Sequence, residues 1–132
     1  MIPQDRDVVR YGYMRDDVRR RIRITVRQTL RPEDTVEIID RQVRENAWVY
    51  PMLYDLRAIH ADTPKAEVGA LADYVREKVA LHGARGPVAV VTRQIEMIAM
   101  ARMYEAWVGF RVEVFWDIDE AERWLADPSR SR

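Results

Sequence analysis

Residues 86–116 read GPVAVVTRQIEMIAMARMYEAWVGFRVEVFW and hold two strand patterns separated by one helix pattern. The apolar run 87–91 is rich in β-branched residues, residues 94–108 contain no glycine or proline, and residues 111–116 are again strand-like. Gly109 marks the end of the helix pattern. Two strands joined through a helix lie parallel in one sheet, so this stretch predicts a β-α-β unit.

Two more amphipathic helices are predicted earlier in the chain. The first covers residues 32–46, with proline and acidic residues in its first turn. The second covers residues 64–82, with Asp62 or Thr63 as its N-terminal cap and Gly83 suited to a left-handed C-terminal cap. Its apolar stripe is formed by Val68, Leu71, Ala72, Val75 and Val79.

An antiparallel pair of strands is predicted at the start of the chain. The two strands cover residues 8–14 and 19–27, with a turn at residues 15–17, where aspartates favour turn geometry. In the second strand Ile22 and Ile24 alternate with arginines, which is typical of a half-buried strand. We expect the arginines of residues 19–27 to form a solvated face that discourages edge aggregation, with phosphate binding as the alternative.

The complete pattern predicts an α/β fold with the order β-β-α-β-α-β-α-β-α. After the antiparallel first pair come parallel β-α-β units, the first of them containing a strand at residues 51–56, so that helices pack on a mixed β-sheet. A last short helix follows Asp117 or Asp119. We expect a single domain over residues 1–126 and a disordered tail over residues 127–132.

Composition limits the class of protein and its compartment. The 132 residues are 48% apolar and 33% charged, and no run is long enough for a transmembrane helix. The first residues have no signal-peptide core, so we expect a cytoplasmic protein. The absence of cysteine excludes disulfides, thiolate catalysis and zinc-thiolate sites.

Charge is unevenly distributed, although the net charge is zero. Residues 1–31 carry nine arginines and four aspartates, whereas residues 32–132 carry thirteen basic and eighteen acidic residues. The basic segment, residues 1–31, could contact nucleic acid or an anionic surface. We favour attraction between the two halves, or to an identical neighbour, and regard nucleic acid as an unlikely partner.

Catalytic motifs are absent from the sequence. The only serines, Ser129 and Ser131, lie in the tail, and no histidine metal motif or glycine-rich phosphate loop occurs. His60 with Asp55 or Asp62 as its partner is the one enzyme hypothesis, and it is weaker than a surface histidine. We therefore predict a protein that is not an enzyme and has no cofactor or metal.

The central helix, residues 94–108, is apolar almost all round. We expect Ile95, Ile98, Ala99 and Ala106 to face the sheet. A second apolar side is formed by Met97, Met100, Ala101, Tyr104 and Val108, joined by Met103 and Trp107. This side is covered by neighbouring helices, notably the last one with Trp124, or binds a partner, or lines a pocket for an apolar ligand.

Several short signatures resemble the STAS-like (SpoIIAA-like) proteins, which have the anti-sigma factor antagonist fold, and their relatives with lipid-binding-type topology. The resemblance covers nearly the whole chain, roughly residues 11–125. It is carried by Pro32-Glu33-Asp34, Tyr54-Asp55-Leu56, the run 87–91, Val114-Phe115-Trp116-Asp117, Glu120-Ala121 and Trp124-Leu125. It implies a STAS-like domain with a regulatory role.

The resemblance also implies a phosphorylation site at the start of the second helix. Classical members carry an Asp-Ser-Ser-Gly-like turn there, whereas this chain has Ala61-Asp62-Thr63-Pro64-Lys65, about one position out of register. Thr63 is the possible phosphorylation site, since phosphate is favourable at a helix N-terminus. Its simpler role is that of a helix cap.

These observations lead to two hypotheses of function. The first is a non-enzymatic regulatory or protein-interaction module that binds a partner protein or itself, as a homodimer, through Met97, Met100, Met103, Tyr104 and Trp107. The second is a carrier that holds a small apolar ligand in a pocket under the same helix.

Overall fold

The structure is a computed structural model that describes residues 10–60 and 65–127. Within these ranges, five strands and four helices follow one another in the predicted order. Their bounds are β1 Tyr11–Asp16, β2 Arg21–Val26, α1 Pro32–Arg44, β3 Met52–Asp55, α2 Lys65–His82, β4 Val88–Val91, α3 Ile95–Val108, β5 Val112–Phe115 and α4 Ile118–Ala126.

The strands form one five-stranded sheet in the order β1-β2-β3-β4-β5. β1 pairs with β2 antiparallel, and every later pair is parallel, with Ile24 beside Tyr54, Tyr54 beside Val90 and Val90 beside Val114. The α/β fold with a mixed sheet is therefore confirmed. Each parallel pair is connected by a crossover helix, as parallel pairing requires.

Helices cover both faces of the sheet. On one face the side chains of Ile22, Met52 and Val88 pack with residues of α1 and α3, while α2 packs against α1 and α3. On the other face Leu53, Ala89 and Val91 pack against Ala121 and Leu125 of α4. This division follows from the alternation of side chains along each strand. The expectation that the last helix covers the central helix is therefore wrong, because α4 lies on the opposite face.

The first hairpin turns two residues later than predicted. β1 continues to Asp16, and the turn covers residues 17–20. The Asp16 carboxylate accepts bonds from the backbone N–H groups of Val18 and Arg19, both at 3.0 Å, and so stabilises the turn from the end of the strand. The predicted strand residues 8 and 9 lie outside the described residues.

The arginine face of β2 is not wholly solvated. Arg21 is only 7% exposed, and its guanidinium donates to the Glu122 carboxylate of α4. β2 is an interior strand, with β1 at the edge of the sheet, so a role in protecting an edge does not apply to it. The prediction of a solvated face is wrong at Arg21 because α4 reaches across the sheet to that residue.

The predicted ends of several helices are confirmed. Pro32 is the first residue of α1, and the Asp34 carboxylate accepts from the Arg31 N–H at 2.9 Å. Gly83 and Gly109 have φ of +88° and +85°, which other residues adopt only with strain. Asp117 caps α4 by accepting from the Asp119 N–H at 2.8 Å. Asp62, Thr63 and most of the predicted tail, residues 128–132, lie outside the described residues.

Candidate ligand-binding site

A cavity of about 190 Å³ lies between the sheet and helices α1, α2 and α3. Most of its wall is apolar. The residues that line it are Thr29, Leu30, Arg31, Pro32, Thr35, Ile39, Tyr54, Leu56, Ile59, Glu67, Val68, Leu71, Arg85, Val88, Val90, Met97, Met100, Ala101, Tyr104 and Val112.

The periodicity of each element explains which side chains form the wall. Val88 and Val90 are two residues apart on β4 and therefore point to the same face of the sheet. On α3, Met97, Met100 and Tyr104 follow the spacing i, i+3, i+7, which places them on one side of a helix. The sheet supplies short branched side chains, and the helix supplies long flexible ones that close the cavity.

The two apolar sides of α3 are exchanged relative to the prediction. Ile95 is 79% exposed, and Ala99 and Ala106 are also exposed, whereas Met97 is only 4% exposed. The expectation that Ile95, Ala99 and Ala106 face the sheet is therefore wrong. A helix that is apolar on two sides carries no periodic signal that distinguishes the inner side, and here the longer side chains fill the deeper space.

The five residues predicted to form one partner-binding surface lie in different surroundings. Met97 is buried, and it lines the cavity together with the half-buried Met100 and Tyr104. Met103 is half-buried, and Trp107 is 43% exposed. The residues therefore do not share one exposed surface, and three of them belong to the wall of the cavity.

The cavity runs from the carboxyl edge of the parallel strands towards their amino edge. Thr29 and Leu30 follow the end of β2, and Leu56 and Ile59 follow the end of β3, so these residues line the cavity at the carboxyl edge. Arg85, by contrast, precedes the start of β4 and lines the cavity at the amino edge.

Arg85, which is half-buried, places a positive charge at this amino edge. Its Nη2 donates to Gln42 Oε1 at 3.2 Å and to Met52 Sδ at 3.0 Å, and both of these residues are fully buried. The guanidinium carbon lies 5.2 Å from the centre of the Trp48 ring, within cation-π range. Within residues 10–60 and 65–127, no carboxylate lies within 4.0 Å of Arg85.

One donor of Arg85 is left without a partner. The Nε atom is buried and makes no hydrogen bond to any part of the chain that the structure describes. Buried polar groups in native proteins are nearly always bonded, so this unpaired N–H, which lies behind the surface of the cavity wall, is an exception. Sequence analysis missed Arg85. The only available signal is its position, a charged residue two places ahead of the apolar run that starts at Pro87.

Tyr104 provides a phenol beside this charge. Burial raises the pKa of Tyr104 to about 12, and the neighbouring Arg85 guanidinium opposes that rise. The phenol is therefore neutral at physiological pH and carries a proton that it can donate. Arg85 and Tyr104 together place charged and neutral hydrogen-bond donors at one end of an apolar cavity.

Of the residues in the enzyme hypothesis, the structure describes His60 and Asp55. The Asp55 carboxylate accepts from the Arg57 side chain, with both Nε and Nη2 at 2.8 Å, and these bonds lower the pKa of Asp55. His60 is exposed, and no hydrogen bond or ion pair joins it to Asp55 in the described ranges. Asp62, the other proposed partner, lies outside them.

Among the described residues, no three histidine or acidic side chains are grouped so that they could hold a metal ion. None of the helices seen there has the length and apolar character needed to cross a bilayer.

No known family model, curated protein or solved structure matches this chain. The STAS-like resemblance is therefore neither supported nor opposed, and it stays a prediction. Phosphorylation of Thr63 stays a prediction as well, because that residue lies outside the described part of the chain.

Proposed function

We propose that this protein binds and carries a small apolar ligand in the cavity under α3. The observation that carries the proposal is the cavity itself, which occupies about 190 Å³ between the sheet and three helices. Protein interiors are close-packed, and voids larger than a water molecule are few in a domain. A cavity of this size in a chain of 132 residues is therefore a feature that needs a use.

The size of the cavity indicates the size of the ligand. An apolar cavity of about 150 Å³ is large enough for benzene, whereas drug-sized ligands occupy about 300–1,000 Å³. A volume of about 190 Å³ therefore suits one aromatic ring with a short substituent, or a short alkyl chain.

The wall suits such a ligand in its chemistry as well. Val88, Val90 and Val112 present methyl groups from the sheet, and Met97 and Met100 present flexible thioethers from the helix. Methionine adapts to ligands of different shape, because it is unbranched and its sulfur is polarisable. Apolar walls with a small number of polar groups are typical of ligand sites.

Native mass spectrometry of the protein, purified gently from its own host, is the first test. A monomer that carries an additional small mass, released on denaturation, would support the carrier. A dimer or a heteromer without any small mass would support the interaction module instead. A bare monomer that binds no probe in the titrations below would contradict both functions.

A pair of variants on one helix tests the location of binding. Ala101 lines the cavity, whereas Ala99 is exposed on the outer side of α3. Ala101→Leu should fill part of the cavity and weaken the binding of benzyl alcohol and hexanol at least tenfold, measured by NMR titration. Ala99→Leu, the matched control, should leave binding unchanged. Equal effects of the two substitutions would place the ligand elsewhere.

Self-association remains a second proposal. It is favoured by the exposed apolar residues of α3, Ile95 at 79% and Trp107 at 43%. If a second copy covers this outer side, Ile95→Asp should convert a dimer to a monomer, as measured by light scattering, without affecting binding in the cavity. A wild-type protein that is already monomeric at high concentration would remove this proposal.

A further inference from the structure

We propose that the ligand is a small apolar acid, whose carboxylate is bound by Arg85 and Tyr104 at the end of the cavity beside the amino edge of the strands. This inference rests on the proposed carrier function and specifies the chemical class of its ligand. The apolar body would fill the space between the valines of the sheet and the methionines of α3. The acid group would meet the guanidinium and the phenol beyond them.

The first argument is the charge that Arg85 brings into the cavity wall. Its Nη2 donates to the Gln42 amide oxygen and the Met52 sulfur, and both acceptors are neutral. Arg85 is half-buried, so part of its guanidinium has lost contact with water, and a charged group in such surroundings gains from an oppositely charged partner. In the described chain no carboxylate is paired with Arg85, so an anion supplied by the ligand would complete its surroundings.

The second argument is the geometry of the donors that remain. A guanidinium has five N–H donors in a planar fork, and the bonds to Gln42 and Met52 engage Nη2 alone. Nε is buried and has no partner in the described residues, so it is not a donor that a ligand in the cavity reaches, and a further hydrogen bond joins the Arg85 side chain to the Tyr104 hydroxyl. The Nη groups are the donors that would meet the ligand, and a planar guanidinium suits the oxygens of a carboxylate better than a simple point charge does.

The third argument is the neighbouring phenol of Tyr104. The tyrosine lines the same cavity and lies beside Arg85, and its raised pKa keeps the O–H proton in place. A protonated phenol donates to a carboxylate oxygen, whereas a phenolate would repel it. The two side chains therefore favour the same charge on the ligand.

The other charged residues of the wall do not select an anion or a cation. Arg31 and Glu67 also line the cavity and have opposite charges. Arg31 is exposed, whereas Glu67 and Arg85 are both half-buried. The three side chains together therefore leave one net positive charge in the wall of the cavity.

A comparison of acids with amides of the same shape tests this inference on the unaltered protein. The two pairs are benzoate with benzamide and hexanoate with hexanamide. The members of each pair differ in charge but have nearly the same volume. By calorimetric titration at pH 7 and low salt, we expect each acid to bind at least tenfold more tightly than its amide. An amide that binds as tightly as its acid would overturn the inference and leave the carrier function standing.

Variants of Arg85 and Tyr104 locate the source of the preference. Arg85→Met should remove the preference for acid over amide while retaining binding of the amide, and Arg85→Lys should retain part of the preference. Tyr104→Phe should weaken acid binding severalfold. Arg76→Met, at an exposed position of α2 that does not line the cavity, is the control and should change neither affinity.

The possible results separate the two proposals. If neither acids nor amides bind the wild-type protein, the carrier function fails and the inference fails with it. If Arg85→Met is well folded by circular dichroism but still prefers acids, the assignment to Arg85 is wrong. If this variant does not fold, the wild-type comparison together with Arg85→Lys and Tyr104→Phe decides whether the assignment holds.

Discussion

The indole ring of Trp107 on α3 lies directly against Gly69 on α2. A methyl group added at Gly69 would come within 2.7 Å of the ring carbon Cη2 and 2.9 Å of Cζ2, which is closer than carbon atoms approach. The two helices therefore meet at a point where one residue has no side chain and the other has the largest. This contact helps to hold α3 over the cavity.

Gly69→Ala should destabilise the protein only while the Trp107 ring is present. In the wild type, the clash should outweigh the helix-propensity gain of about 1 kcal/mol that alanine offers over glycine. In a Trp107→Ala background, the same substitution should stabilise by about 1 kcal/mol. Urea unfolding of the four proteins measures both changes, and the same sign in both backgrounds would contradict the packing described.

Gly86→Ala should be severely destabilising. Its added methyl would lie 2.4 Å from the backbone oxygen of Val49 and 2.6 Å from that of Tyr50, and a backbone cannot move aside as a side chain can. We expect a loss of about 3 kcal/mol or more, at the upper end of overpacking costs.

Gly83→Ala is the matched control for that substitution. Nothing lies within 4 Å of its added methyl, so only the strain of a positive φ remains, about 1–2 kcal/mol. Thermal unfolding measures both losses of stability. If Gly83→Ala lowers the melting temperature more than Gly86→Ala does, Gly86 does not lie as close to the backbone of Val49 and Tyr50 as described.

Arg57→Met should reduce stability at neutral pH and have little effect in acid. The Arg57 guanidinium lowers the pKa of Asp55 in the folded protein, so their interaction stabilises the fold above the usual aspartate pKa. That contribution is lost as the pH falls through the lowered pKa. Arg57 is 46% exposed in its side chain, so we expect no more than about 1 kcal/mol at pH 7.

Urea unfolding at several pH values checks this expectation. The difference between the wild type and Arg57→Met should shrink towards zero at the lowest pH at which both proteins fold. Arg76→Met, at an exposed position, should show no such pH-dependent difference. A penalty for Arg57→Met that stays constant across the pH range would exclude the ionised Asp55 as its cause.

Glu122→Gln should destabilise more than a surface substitution does. Glu122 accepts from the buried Arg21 guanidinium across the face of the sheet, and removing its charge weakens that pair. Breaking a fully buried ion pair costs about 3–5 kcal/mol, so we expect about 1–3 kcal/mol here, where the Glu122 side chain is 24% exposed. Glu120→Gln, exposed on the same helix, is the control and should cost less than about 1 kcal/mol by urea unfolding, the value of one helix-terminal charge.

The fold could be predicted because each element carries its own local signal. Pro32 at a helix start, Gly83 and Gly109 at helix ends, and the alternation through Ile22 and Ile24 all follow from backbone preferences. These signals are short-range, and the structure confirms the elements that they predict.

The cavity was harder to predict, because its position depends on contacts between distant elements. Ile95 and Met97 are both apolar, and nothing local indicates which of them turns inward. Arg85 is one arginine among many in the sequence, and its special surroundings arise only when Gln42 and Met52 are brought to it by folding. Packing between residues that are distant in the sequence produces no periodic pattern of apolar residues from which it could be predicted.

The order of the strands also has a consequence for how the molecule is made. Since β1 to β5 are neighbours in the order in which they occur along the chain, every strand joins a partner synthesised shortly before it. Closing short loops costs less entropy than closing long ones, and contacts between nearby segments favour rapid folding. A growing chain can therefore add each of β3, β4 and β5 to a sheet edge that already exists.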